Sequence, residues 1–258
     1  FLRFFKIFKL KIRMEPKERI IFITGWILDY CSKMPKNPDG LVVGVSGGID
    51  SAVVSTICAA SGMKTYALSM PIRQIKDQDD LSKAHCQWLA SNFKNVEVVN
   101  VNLDHVFTEF EKASGKHSSE HAFANSRARL RMTTLYQVAG SNNGIVVGTG
   151  NKVEDFGVGF FTKYGDGGVD ISPIADCTKT QVWDMGRELG LNQSIIDAAP
   201  TDGLWADGRN DEQQLGMTYQ ELEEAMNNPN SKNYSKYLKI RETNLHKMNL
   251  IPVCKFDE

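Results

Sequence analysis

Short apolar runs alternate with longer amphipathic stretches over the first 150 residues. The short runs predict β-strands at 41–45, 64–70, 95–101 and 144–150. Apolar residues at helical spacing predict helices over 15–34, 52–62, 77–93, 104–112 and 122–139. Strands that alternate with helices of this length predict an α/β fold: a doubly wound parallel sheet flanked by helices, in a single domain.

The second half of the chain has helical patterns, interrupted by a glycine-rich stretch at 157–170. Helices are predicted from Lys179 to Gly190, from Thr218 to Asn227, where Glu221 follows Thr218 as in a capping box, and from Tyr234 to Lys247. In the 77–93 helix, the residues predicted to face the core are Leu81, Ala84, Trp88 and Leu89.

The first strand runs into Ser46-Gly-Gly-Ile-Asp-Ser51 and then into a helix. Gly47 and Gly48 permit backbone conformations that other residues avoid, and the free N–H groups at a helix start favour an anion. Phosphate is the expected ligand. A Walker P-loop would end in Gly-Lys-Ser/Thr, and a dinucleotide fingerprint would read G-x-G-x-x-G, and neither pattern occurs at this turn.

Composition narrows the class of protein. The 258 residues are 41% hydrophobic, which suits a substantial core, and the net charge is −1 with acids and bases mixed. This balance argues against a nucleic-acid partner. The five cysteines lie far apart without a C-x-x-C pair, which argues against zinc and a disulfide framework. Reduced thiols and a cytoplasmic location are expected.

Residues 1–13 differ from the rest of the chain because apolar residues alternate with five bases. No uninterrupted stretch there suits a signal-peptide core or a membrane span, so no stable membrane association is expected. Met14 directly precedes a helix-like opening. We interpret residues 1–13 as a non-functional extension before a domain at 14–258; a membrane or partner contact is the alternative.

The segment after the fourth strand carries a second set of candidate residues. If that strand lies beside the first, Glu154 meets Asp50, and two carboxylates near a polyphosphate repel unless Mg²⁺ lies between them. Mg²⁺ is therefore predicted. The many glycines around Lys163 predict a loop that closes over a ligand.

Other charged residues leave two interpretations open. Arg73, after the second strand, either reaches the nucleotide or lies in solvent. Arg127 and Arg131 share a helix face and pair either with phosphates or with surface acids. His117 and His121 have metal-like spacing but no third ligand, which favours a solvated loop.

Taken together, these motifs resemble a known family. The 46–51 turn resembles the pyrophosphate-binding loop of N-type ATP pyrophosphatases. Together with four further motifs, this turn resembles the ammonia-dependent NAD synthetases, and the resemblance covers this chain from Met14 to Glu258. The further motifs are Arg127-Ala-Arg-x-Arg-Met132, Gly148-Thr149 with Glu154, Phe160-Phe-Thr-Lys-Tyr-Gly-Asp-Gly-Gly168 and Pro200-Thr201. This resemblance implies an adenine nucleotide alpha hydrolase-like fold and a homodimer that binds deamido-NAD across its interface. The implied reaction is ATP-dependent amidation of deamido-NAD with ammonia, through an acyl-adenylate, to NAD, AMP and pyrophosphate.

The resemblance also implies roles for individual residues. ATP contacts are implied for Gly44, Ser46, Gly47, Gly48, Asp50, Ser51, Thr149, Lys179 and Thr201, and Mg²⁺ ligation for Asp50 and Glu154. Deamido-NAD contacts are implied for Arg129, Lys163, Asp170, His246 and Lys247. The catalytic set is Asp50, Lys163 and Asp170, and the hypothesis for Asp170 is that it helps deprotonate ammonium, because only free ammonia has a lone pair.

Two departures limit the transfer of these roles. Gly150-Asn151 stands where many relatives carry Asp-His, and one more residue than in some relatives separates Glu154 from Phe160. The 200–209 segment is expected to close over the nucleotide.

The chain has no room for a glutamine amidase domain, so free ammonia or a separate donor protein is expected. The competing hypotheses are another ATP pyrophosphatase, either GMP synthetase-like or tRNA-modifying, and a non-catalytic nucleotide-binding sensor.

Overall fold

The structure is a computed structural model that describes residues 14–201, 203 and 210–256. In chain order its first elements are α1 (Pro16–Lys33), β1 (Gly40–Gly44), α2 (Ile49–Ala60), β2 (Lys64–Ser69), α3 (Lys76–Asn92), β3 (Val96–Asn100), α4 (Asp104–Ser114), α5 (Glu120–Ser141) and β4 (Gly144–Val146). A π-helix (Lys152–Val158) follows, and then α6 (Lys179–Glu188), α7 (Gln193–Ile196), α8 (Asp211–Leu215), α9 (Tyr219–Asn227) and α10 (Tyr234–Met248).

The four strands form one parallel sheet in the order β3-β2-β1-β4. Val42, in the central strand β1, is opposite Tyr66 of β2 and Val146 of β4. The predicted doubly wound sheet is confirmed, and so is the position of the fourth strand beside the first. The fourth strand is shorter than predicted, because after Val146 only a single bridge continues, between Val147 and Ile171.

Helices cover both faces of the sheet because alternate residues of β1 point to opposite sides. Leu41 and Val43 pack in a core with residues of α1, α2 and α6. Val42 packs on the other side with residues of α4 and α5. Because both faces are covered, a ligand can bind only at the edge where the strands end. β1 and β4 end beside one another at this edge.

Helix α3 packs against the core with Leu81, Trp88 and Leu89, as predicted, and also with polar residues that were not predicted. Leu89 is buried as expected, but Ala84 is exposed, and Ser82 and His85 are buried instead. The physical reason is hydrogen bonding. The Ser82 hydroxyl donates to the Val45 carbonyl at 2.6 Å, and His85 Nε2 lies 3.0 Å from Ser55 Oγ. Polar groups with such partners are stable in a core.

Several predictions concern segments away from the central sheet. The predicted capping box of α9, between Thr218 and Glu221, is confirmed. Residues 1–13 and Trp205 lie outside the described residues. Within the described part of the chain, no helix is both long enough and apolar enough to cross a lipid bilayer.

Candidate active site

The 46–51 turn connects the end of β1 to α2, as predicted. Gly48 is the N-cap of α2, and no side chain caps that helix end. Gly47 has a φ of +91°, and a Cβ there would lie 2.6 Å from the Gln78 carbonyl oxygen, so glycine is required. The Ser51 hydroxyl accepts from the Ser46 N–H at 3.1 Å and donates to the Gly48 carbonyl at 2.9 Å. The result is a fixed turn with backbone donors at the positive end of a helix dipole.

Asp50 and Glu154 meet next to this turn, as the strand order predicts, and Lys179 lies between them. Lys179 Nζ is 2.5 Å from Asp50 Oδ2 and 2.9 Å from Glu154 Oε1. The side chain of Lys179 is only 2% exposed, against 17% for Asp50 and 15% for Glu154. Lys179 is the first residue of α6, so the start of a second helix contributes to the same site.

The surroundings of Lys179 and Glu154 keep both of these groups charged. Burial alone would lower the pKa of the Lys179 ammonium, but the charges of Asp50 and Glu154 outweigh it, so the pKa is raised and the lysine stays charged. Burial likewise acts to raise the pKa of Glu154, but the Lys179 charge and the hydrogen bond from Tyr219 bring it below the usual value. A charged lysine beside an ionised carboxylate is therefore the stable state at neutral pH.

Two residues that were not predicted from the sequence hold this ion pair in place. The Asn151 side chain is fully buried; its amide donates to Asp50 Oδ1 at 3.2 Å, and its carbonyl accepts from the N–H groups of Val153 and Glu154. Asn151 is therefore also the N-cap of the π-helix. The sequence signal for this role was an asparagine just after a strand, because asparagine is a preferred residue at helix N-caps.

Tyr219 is the second unpredicted residue, and it is fully buried. Its hydroxyl lies within hydrogen-bonding distance of Glu154 Oε1 (2.5 Å) and Asp211 Oδ2 (3.0 Å). Its ring also lies under the Lys179 ammonium, 4.9 Å from Nζ to the ring centroid. No sequence pattern marked this tyrosine, since it is 65 residues from Glu154.

Most of the stretch between Glu154 and Phe160 lies in the π-helix, whose wider turn suits an additional residue. This turn brings the Asp155 carboxyl against Gly150: a Cβ on Gly150 would lie only 1.9 Å from Asp155 Oδ2. Burial, followed by the charge of Asp166, raises the pKa of Asp155 well above its usual range. The departure at Gly150 therefore lies against the residue that follows Glu154.

A cavity of about 520 Å³ opens over these groups. All nine residues for which ATP contacts are implied line it, as do Glu154, Asp155 and Asp166. Arg131 also lines it and donates to the Met70 carbonyl at 3.0 Å and to Gln74 Oε1 at 2.9 Å. This volume, with mainly apolar walls and a few convergent polar groups, suits a nucleotide.

A smaller cavity of about 210 Å³ adjoins the first and shares Gly150, Asp155 and Asp166 with it. Lys163 and Lys247 line this second cavity. Arg129 lies beside it and donates to the Lys163 carbonyl at 3.2 Å, while Lys247 Nζ donates to the Phe161 carbonyl at 2.8 Å. Three of the residues implied to contact deamido-NAD are therefore grouped next to the nucleotide cavity.

Asp170 and His246 line neither of the two cavities. Asp170 is exposed, and its oxygens accept from the Val146 N–H at 2.7 Å and the Tyr136 hydroxyl at 3.0 Å. His246 is exposed, and its backbone carbonyl, not its ring, lies 3.5 Å from Lys163 Nζ. The roles of Asp170 and His246 in catalysis and binding stay predictions.

Arg73 forms an ion pair with Glu111 on the surface, which favours a position in solvent over a contact with the nucleotide.

The donor set limits what cation the site can hold. Among the described residues, no three His, Cys, Asp or Glu side chains converge as a self-sufficient metal site requires. Asp50 and Glu154 supply two carboxylates, and a site of this kind suits Mg²⁺, which is often held by one or two carboxylates together with substrate phosphates. The residues therefore fit a cation that arrives with a polyphosphate.

Comparison with known proteins gives a consistent result. Residues 20–255 match the NAD synthase family. The NH(3)-dependent NAD(+) synthetase of Carboxydothermus hydrogenoformans is 38% identical over 82% of this chain and 86% of its own. That of Finegoldia magna is 36% identical over 91% of this chain and 95% of its own.

A solved structure resembles the whole fold. It is the NMN synthetase of Francisella tularensis, which has a TM-score of 0.86 and 32% identity, and the match covers 94% of this chain and 99% of that one. The family match spans nearly the entire chain and includes the 46–51 turn, Asp50, Glu154 and the Lys179 between them. This chain belongs to the NAD synthase family.

Proposed function

We propose that this protein is a ligase that amidates deamido-NAD with ammonia at the expense of ATP, giving NAD, AMP and pyrophosphate. The observation that carries this proposal is the Asp50–Lys179–Glu154 group beside a bare helix start, in a chain whose curated relatives are named NH(3)-dependent NAD(+) synthetases. The nicotinate carboxylate is a poor electrophile. Transfer of AMP to it releases pyrophosphate, and ammonia then displaces AMP and loses a proton to form the amide.

The residues of the larger cavity would hold ATP. Backbone N–H groups at the start of α2 would face the phosphates, and their fixed positions would stabilise the charge that develops on pyrophosphate as it leaves. Thr149 and Thr201, which line the same cavity, would contact the rest of the nucleotide. Backbone donors that are already in position stabilise the transition state without moving, which supports a catalytic role rather than that of a sensor.

Asp50 and Glu154 would hold Mg²⁺, which supplies a Lewis acid that neutralises phosphate charge. Lys163, Lys247 and Arg129 would bind the anionic deamido-NAD in and beside the smaller cavity, which adjoins the nucleotide. Holding both substrates next to each other makes the adenylation step effectively unimolecular. We further propose a homodimer in the cytoplasm, with deamido-NAD at the subunit interface.

One structural observation favours a second candidate substrate. The Francisella tularensis structure, which covers nearly all of this chain at 32% identity, is named an NMN synthetase. By that similarity this chain would amidate nicotinic acid mononucleotide to NMN, with the same ATP chemistry on the shorter substrate.

The purified protein is given ATP, Mg²⁺ and ammonium in three separate assays. Each assay contains one candidate acceptor: deamido-NAD, nicotinic acid mononucleotide or xanthosine monophosphate. NAD and AMP formed from deamido-NAD support the proposal, and a higher kcat/KM for the mononucleotide supports the second candidate. Activity with xanthosine monophosphate alone, or no AMP with any of the three, contradicts both. Asp50→Asn is the inactive control, because it removes one of the two carboxylates proposed to bind the metal ion.

A further inference from the structure

Lys179 occupies the position that the proposed metal ion requires. Its ammonium lies 2.5 Å from Asp50 Oδ2 and 2.9 Å from Glu154 Oε1, and Tyr219 covers it from the side. With 2% of its side chain exposed, the lysine is fully buried although it carries a charge. Two carboxylates and an aromatic face provide what a buried ammonium needs.

A divalent ion and this ammonium exclude one another. Magnesium is bound at about 2.0–2.1 Å from its ligand oxygens, so an ion between the two carboxylates would take the space of Nζ. Placing three positive charges against two negative ones would also be unfavourable at such short range. Glu154 Oε1 already accepts from Lys179 and lies 2.5 Å from the Tyr219 hydroxyl.

We infer that Lys179 is a built-in substitute for the metal ion, and that it leaves the two carboxylates only when a triphosphate arrives. The lysine lines the same cavity as the 46–51 turn, so its flexible four-carbon side chain can transfer the ammonium from the carboxylates to phosphate oxygens. The metal ion then enters between Asp50 and Glu154 together with the nucleotide. Lys179 is thus a positioning residue that makes metal binding depend on the nucleotide. The inference rests on the proposed function only in that the nucleotide is ATP.

The test measures Mn²⁺ binding by electron paramagnetic resonance, without ammonia or deamido-NAD. The wild-type protein is expected to bind free Mn²⁺ weakly, and to bind it at least about tenfold more tightly when a non-hydrolysable ATP analogue is present. Lys179→Met is expected to bind Mn²⁺ without nucleotide at least about tenfold more tightly than the wild type, because both carboxylates are then free of the competing charge. Adenosine, which lacks phosphate, should leave wild-type binding unchanged.

The matched control is Lys152→Met. Lys152 forms an exposed ion pair with Asp176, 2.7 Å apart, and its loss removes the same charge without uncovering the two carboxylates. Mn²⁺ affinity without nucleotide should therefore stay at the wild-type level. Lys179→Gln, a neutral side chain that still donates hydrogen bonds, serves in case the methionine variant does not fold, and circular dichroism verifies folding of each.

Either of two results would overturn the inference: wild-type protein that binds Mn²⁺ equally well with and without the analogue, or folded Lys179 variants that bind it no better than wild type. The amidation assay is read separately. A protein that shows the exchange but makes no NAD or NMN refutes the proposed function and leaves the inference standing.

Discussion

Replacing Tyr219 by Phe tests how much the network around Glu154 contributes to stability. The substitution keeps the buried ring and removes the hydroxyl, which lies 2.5 Å from Glu154 Oε1 and 3.0 Å from Asp211 Oδ2. A hydrogen bond to a charged group contributes about 1.5–3 kcal/mol, and the buried carboxylates that remain lose a partner. We expect the free energy of unfolding to fall by about 2–3 kcal/mol.

Thermal unfolding followed by circular dichroism measures this loss. For a domain of this size about 2–4 °C is lost per kcal/mol, so the midpoint should drop by roughly 5–10 °C. Tyr237→Phe is the control, since Tyr237 is buried in the same cluster and its ring lies beside that of Tyr234. Equal midpoints for the two variants would refute the idea that the Tyr219 hydroxyl supports the site.

Two other perturbations follow from buried groups. Burial lowers the pKa of His85 to about 4, below its usual 6.5, so its contribution to stability is complete above pH 6.5 and about 3 kcal/mol is lost as the pH falls towards 4. The free energy of unfolding, measured with urea between pH 7 and 4.5, should depend less on pH in His85→Gln than in the wild type. The same pH dependence in both proteins would contradict this. Gly150→Ala places a Cβ 1.9 Å from Asp155 Oδ2 and should cost about 1–3 kcal/mol. Adding Asp155→Ala should restore most of that loss in a double-mutant cycle, and strictly additive losses would argue against the contact.

The hydrophobic pattern was sufficient to predict the sheet and its layers. Runs such as 41–45 have no plausible environment other than a strand covered on both faces, and the length of the connections required parallel pairing. The meeting of Asp50 and Glu154 followed from that topology alone. Strand order places the ends of β1 and β4 together whatever the side chains are.

What the sequence did not reveal depends on partners that are distant along the chain. Ser82 and His85 appear polar, and only the Val45 carbonyl and Ser55 make them suitable for the core. The ion pair of Lys179 is a similar case, because a lysine at a helix start is usually solvated. Nor does a local pattern identify a π-helix, since it differs from a loop only by the hydrogen bonds it makes after folding.

Lys179 and Asp50 are 129 residues apart in the chain. Each stands in the first turn of its own helix, and the two helices pack together in the core on one face of the sheet. A fragment that lacks either helix therefore lacks this ion pair, and the full favourable free energy of ATP association is gained only by the completely assembled chain. Bound nucleotide therefore indicates that the chain is fully folded, and it also stabilises the folded state.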